Sequence, residues 1–111
     1  MGRVITSPVA QFPGTVTLAE PLTFPQFLAW QDAVTAMRDL IDQDEPDASR
    51  AEQALLPGLC ACIETWNLNG GQQYTPETFP ATPRAASSQL IAWLLRETTA
   101  LITAADADPN G

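Results

Sequence analysis

Histidine is absent from this 111-residue chain, and that one absence removes Ser-His-Asp and Cys-His nucleophilic catalysis together with zinc sites built on imidazole. Cysteine is nearly as scarce. Cys60 and Cys62 are the only two, too few for a structural zinc site. Two residues apart in a helical pattern, they point about 200° away from each other around the axis, and they read as buried, reduced thiols of a reducing compartment. No apolar run reaches the roughly 18 residues of a bilayer span. The segment Met1-Gly2-Arg3-Val4-Ile5-Thr6-Ser7-Pro8 carries no signal-peptide block, so the expectation is a cytoplasmic protein. There is no Gly-x-x-x-x-Gly-Lys-Ser/Thr loop, and Gly70-Gly71 lacks a Rossmann context.

Positive charge is also in short supply. Thirteen acids against five bases give a net charge of −8, which repels phosphate backbones and anionic lipid surfaces. Neither nucleic acid nor membrane is therefore expected as a partner, and the acidity serves solubility or meets a basic surface on another protein. Asp42-Gln43-Asp44-Glu45-Pro46-Asp47 looks like a calcium loop but lacks the turn glycine and the distal bidentate glutamate. No metal and no cofactor are expected. Glu64, Glu77 and Glu97 lie on or near apolar faces, where a carboxylate pair is formally able to do acid-base work. Thirteen acids supply such pairs by chance, and a chain this short has few residues left to wall a substrate cleft. The chain does not read as an enzyme.

What is present is the makings of one packed core. Hydrophobic residues are 45% of the chain and charged residues 16%, and Trp30, Trp66 and Trp93 fall one to each of three candidate helices. The expected fold is mainly α. It has three helices, the second kinked or split at a proline, with a small N-terminal β-hairpin or strand: an extended region 1–22, a helical core 23–104 and a frayed tail 105–111. Thr15-Val16-Thr17-Leu18, directly after Gly14, alternates as a strand does, and Arg3-Val4-Ile5-Thr6 is its natural hairpin partner. A two-stranded ribbon alone is marginal in water, so it must lie against helices or another subunit, and its exposed edge is able to accept a strand.

Thr23-Phe24-Pro25-Gln26 announces the first helix, with Thr23 as cap, Pro25 in the first turn and Gln26 reaching back; it should run to about Asp42. Phe27, Trp30, Val34, Met37 and Ile41 fall within about 80° of one another, a seam facing the core. After the acidic connector, Ser49-Arg50-Ala51-Glu52 reads as a capping box opening a second helix. Its apolar face carries Leu55, Leu56, Leu59, Cys60, Ile63 and Trp66, with Pro57 on the polar side. Residues 67–82 form a long connection whose Gly and Pro forbid a helix. Within it, Tyr74 and Phe79 either pin the loop to the core or stand as aromatic anchors for a partner.

The last helix opens at Thr82-Pro83 and should run to about Ala104. Leu90, Ile91, Trp93, Leu94, Leu95, Leu101 and Ile102 cover about 200° of its wheel, where a helix packed on one neighbour needs about 100°. Two contact surfaces follow, the second belonging either to the rest of the domain or to an oligomeric or partner interface. Glu97 projects at the edge of this arc and needs a partner if buried.

Ile63-Glu64-Thr65-Trp66-Asn67-Leu68, then Asn69-Gly70-Gly71, a Pro-rich stretch and a terminal amphipathic helix together resemble small tail proteins of phages and prophages. The tail assembly chaperone type is the nearest, over about residues 55–104. In that pattern Trp66 extends the apolar face of the second helix, while Asn67 stops it and tolerates a left-handed backbone. This chain carries Asn-Gly-Gly where acidic residues are common in the family. The resemblance implies a non-enzymatic cytoplasmic factor that coats the tape-measure protein and helps tail-tube subunits polymerise, binding apolar helical segments. Trp93, Leu94, Ile91 and Leu95 are then the candidate protein-binding surface. Two other readings compete: a tail-terminator or connector subunit that stays in the particle as a ring, and an acidic inhibitor that imitates DNA. Against the latter, the acids concentrate at 42–47 rather than forming a phosphate-like row.

Overall fold

Alternation in the first twenty residues does what such a pattern should. β1 (Gly2–Thr6) and β2 (Gly14–Ala19) pair antiparallel, with Val4 opposite Thr17 and Ile5 opposite Val16. The computed structural model describes residues 2–80 and 82–107. After the hairpin come α1 (Phe24–Ile41), α2 (Ala48–Ala61), β3 (Ile63–Leu68) and α3 (Arg84–Ala107). The fold is mainly α, three helices preceded by a small β-hairpin, and β3 returns to lie antiparallel on β2, giving the strand order β1-β2-β3.

The third strand corrects the reading of Ile63 and Trp66 as the end of the second helix. α2 stops at Ala61, and Ile63–Leu68 is extended. The register between β2 and β3 shifts between Thr17 and Leu18, so that Thr17 faces Thr65 while Leu18 faces Ile63. Such an irregularity leaves an extra residue in one strand and breaks the period of two. Glu64 and Thr65 are consecutively exposed, which spaces Ile63 and Trp66 three apart, as on a helix. The left-handed residue after this segment is Asn69 (φ 50°), followed by Gly70 and Gly71 at positive φ; Asn67 itself lies in the strand. Gly14 also has positive φ, and a Cβ there would strike the carbonyl oxygen of Asn67 across the sheet.

α1 opens as its sequence requires. The Gln26 amide donates to Thr23 Oγ1 at 3.3 Å and the Thr23 amide to Gln26 Oε1 at 2.8 Å, and Asp42 closes the helix as C-cap. The capping box expected at Ser49 does not form. Asp47 caps α2, its Oδ1 accepting from the amides of Ser49 (3.0 Å) and Arg50 (3.2 Å), because a carboxylate both accepts strongly and offsets the positive end of the helix dipole. Glu52 instead accepts from Ser88 Oγ at 2.8 Å, tying α2 to α3. Pro57 sits inside one continuous α2 with its side exposed, so the carbonyl that it leaves unbonded, that of exposed Gln53, faces water. α3 begins one residue later than Pro83, whose carbonyl accepts from the Ser87 amide at 3.0 Å. It also outlasts Ala104: of the expected frayed tail, residues 105–107 continue the helix and residues 108–111 lie outside the described residues.

Packing then assembles the layers. α1 lies closely along α2, where Gly58 lets the backbones approach: a Cβ there would meet Ala33 Cβ at 2.5 Å, Ala29 O at 2.8 Å and Trp30 Cα at 3.0 Å. The core joins Ile5, Val16, Leu18, Trp66 and Leu68 of the sheet to Leu55, Leu56 and Leu59 of α2 and to Leu90, Leu94 and Leu101 of α3. Buried Thr98 Oγ1 donates to the Leu94 carbonyl at 2.7 Å and is thereby satisfied, whereas the buried Trp30 Nε1 has no hydrogen-bond partner among the described residues.

Candidate functional site

The wide apolar arc of α3 is spent mostly within the chain. Ile91, Trp93 and Leu94 are buried, and Leu95 is half-buried against the core. α3 packs on α2, and its buried residues join the one core cluster that also holds the apolar residues of the sheet. Tyr74 and Phe79 are likewise turned inward. Tyr74 meets Trp66 edge-on at 5.2 Å between ring centroids, Phe79 meets Trp66 at 6.4 Å, and the two contact each other at 6.2 Å. Three rings in edge-to-face contact pin the connection between β3 and α3 onto the sheet. Thr75 and Thr78, each amide donating to the other's hydroxyl, close a turn between them.

Among the described residues, the exposed large apolar side chains lie elsewhere: Val4 on β1 and the other three on α1. Phe24 is 71% exposed, Ile41 47% and Leu28 39%. Each end of α1 opens into an apolar cleft whose far wall is α3. The cleft at the N-terminal end measures about 600 Å³ and is lined by Pro21, Leu22, Phe24, Phe27, Leu101 and Ile102. That at the C-terminal end measures about 410 Å³ and is lined by Met37, Ile41, Pro46, Leu55, Ile91 and Leu95. Ile91 and Leu95 therefore do reach a surface, as the floor of the second cleft, while Trp93 and Leu94 do not. The seam Phe27, Trp30, Val34, Met37 and Ile41 is only partly covered: Val34 is buried and Ile41 stands free.

Both clefts follow from how the helices are spaced. α1 approaches α2 closely through Gly58, Ala29 and Ala33, and it approaches α3 less closely, so large side chains on the α3 side of α1 have room beside them. Phe24 and Leu28, four apart and flanking the seam, are the residues that the sequence reading passed over; their signal is large apolar side chains on the flank of a helix whose seam is already complete.

The polar groups around this surface are few. The loop 42–47 is exposed throughout, and Pro46 brings it to the edge of the second cleft. Arg3 pairs with Glu20 at 3.0 Å, at the rim of the first. Glu97 is half-buried on the flank of α3. Among the described residues no three His, Cys, Asp or Glu side chains gather as a metal site, and no helix is long and apolar enough to cross a membrane.

Both cysteines are free thiols. Cys62, buried at the C-cap of α2, donates to the Gln26 carbonyl at 3.7 Å, and Cys60 is half-buried. Burial pushes both up from the ordinary 9.0 to about 11, with the Glu77 carboxylate adding to the effect at Cys60. Their alkylation by iodoacetamide is expected to be slow at pH 8, with no plateau near pH 9. Because the folded state holds these protons more tightly than the unfolded chain does, their contribution to stability is complete below pH 9 and is lost as the pH rises toward 11. Chemical denaturation at pH 8, 9.5 and 11 checks the sign: unchanged stability across that series would mean that the thiols are open to water.

Comparison with protein-family models, with curated proteins and with solved structures yields no match.

Proposed function

We propose that this chain is a non-enzymatic protein-binding domain of the phage or prophage tail assembly chaperone type, acting in the host cytoplasm on a tape-measure or tail-tube protein. The observation that carries the binding role is the pair of apolar clefts at the two ends of α1, with Phe24 and Ile41 standing exposed beside them. Apolar clefts flanked by exposed large side chains are where an amphipathic helix lays its anchors. The tail assembly assignment rests on the likeness of residues 63–71 and of the helix that follows; in this chain those residues form β3 and its turn.

The chemistry of the surface narrows the partner. Asp42, Asp44, Glu45 and Asp47 stand in solvent beside the second cleft, so the segment that fits is apolar on one face and basic at the end that lies over this loop. Met37 in the cleft wall suits varied apolar anchors, since its unbranched side chain repacks readily.

Co-expression with a phage tape-measure protein and, separately, with a tail-tube protein tests the reading. Wild type is expected to co-purify with one of them, and the double variant Phe24→Asp/Ile41→Asp to lose about tenfold or more in affinity. Both side chains are exposed, so the variant should keep its helical circular dichroism. Undiminished capture by the folded double variant would refute the clefts as the binding surface. The tail assembly assignment is tested separately by gene context: a translational slippery site near the stop codon and a long helical tape-measure gene downstream are expected.

A further inference from the structure

The two outer edges of the sheet are finished differently. The β3 edge is closed by the chain itself: Leu68 bridges to Gln72, and Gln73 Nε2 donates to the Trp66 carbonyl at 2.7 Å. The β1 edge has no such cover among the described residues. Nor does β1 carry the usual deterrents to strand pairing: Gly2–Thr6 contains no proline and no bulge, and its only charge, Arg3, is engaged by Glu20. At its centre Val4 is 63% exposed.

The parity of the ladder says which groups that edge offers. The Ser7 amide donates to the Gly14 carbonyl at 2.9 Å, and hydrogen-bonded pairs alternate along an antiparallel ladder. Ile5 and Arg3 therefore also turn their amides and carbonyls toward β2, while those of Gly2, Val4 and Thr6 point away from the sheet. These three residues lie symmetrically about Val4. We infer that β1 pairs antiparallel with β1 of a second copy about a two-fold axis at Val4, joining two three-stranded sheets into one of six strands.

The geometry favours a second copy over an arbitrary strand because the edge is complementary to itself. In this register Val4 exchanges both hydrogen bonds with its symmetry mate and Gly2 exchanges both with Thr6, six bonds in all by the antiparallel rule. The two exposed valines meet on one face of the sheet. Arg3 lies opposite Ile5 rather than opposite its own copy. β1 itself carries no acidic residue, and the carboxylates beside it are Glu20, paired with Arg3, and Glu64 of β3, next to Gly2 at the end of the ladder and away from the central Val4. The contact is isologous and closes on itself, forming dimers rather than filaments.

Sedimentation velocity and light scattering of the full chain over a range of concentrations test this. Wild type is expected to shift from monomer to dimer as concentration rises, with no larger species. Val4→Lys places two like charges opposite each other, and Val4→Pro removes the central outward amide at an edge position where proline is tolerated. Each should raise the dimer dissociation constant by about tenfold or more and leave the helical signal and melting temperature of the monomer unchanged. The exposed-cleft variant Phe24→Asp/Ile41→Asp should dimerise as wild type does. A wild-type chain that stays monomeric at millimolar concentration overturns the inference, and so does a dimer that survives both Val4 variants or dissolves only in the cleft variant.

Discussion

Trp66→Ala is expected to destabilise the domain by about 3–5 kcal/mol, the cost of emptying a buried indole site that cannot collapse. Trp66 lies in β3 opposite Val16, buried, with Tyr74 and Phe79 set edge-on against it. Removing the indole leaves both rings without their common neighbour and frees the connection between β3 and α3. The Gln73 bond to residue 66 goes to the backbone carbonyl, so it survives, and the loss is one of packing. Since domains of this size are stable by about 5–15 kcal/mol, urea unfolding followed by circular dichroism should show a much lower midpoint, and Trp66→Phe, which keeps a ring, should lose far less. An alanine variant within about 1 kcal/mol of wild type would show that the three rings do not hold the loop.

The second large effect is expected at Gly58, and there the sign is the test. In an exposed helix Gly→Ala stabilises by about 1 kcal/mol through helix propensity. Here the added Cβ would lie 2.5 Å from Ala33 Cβ and 2.8 Å from the Ala29 carbonyl oxygen. Neither atom is the free end of a flexible side chain, so relief requires α1 to move off α2. Overpacking of this kind costs about 1–3 kcal/mol, which outweighs the propensity gain; Gly58→Ala should therefore lower the melting temperature, and Gly58→Val should lower it further. An alanine variant that melts above wild type would mean that the two helices part at little cost.

Of the proposed binding surface, the sequence made legible its apolar character and its place on helices, but not which helix carries it. Most of the 200° arc of α3 is buried within the chain, in the core that α3 shares with α2 and the sheet. Ile91→Asp is thus a core change, whereas the surface open to a partner begins at Phe24 and Ile41. What hid this is that amphipathic periodicity reports how much of a helix must be covered and not by what.

Local rules acting within a few residues were decided by sequence alone. Thr23 and Gln26 cap α1, alternation sets β1 and β2, Pro57 stays on the solvent side of α2, and the absence of histidine strips the chain of imidazole chemistry, because each depends on backbone groups or side chains close in sequence. Tertiary structure alone decided the rest. Over the six residues Ile63–Leu68 a strand with a bulge and a turn of helix place their apolar side chains alike, and only pairing with β2 distinguishes them. Glu52, which the sequence offers as a local capping partner, instead accepts from Ser88 on another helix, 36 residues away. The clefts beside α1 exist because Gly58 draws it onto α2 and away from α3, a distance set by contacts between residues far apart in the chain.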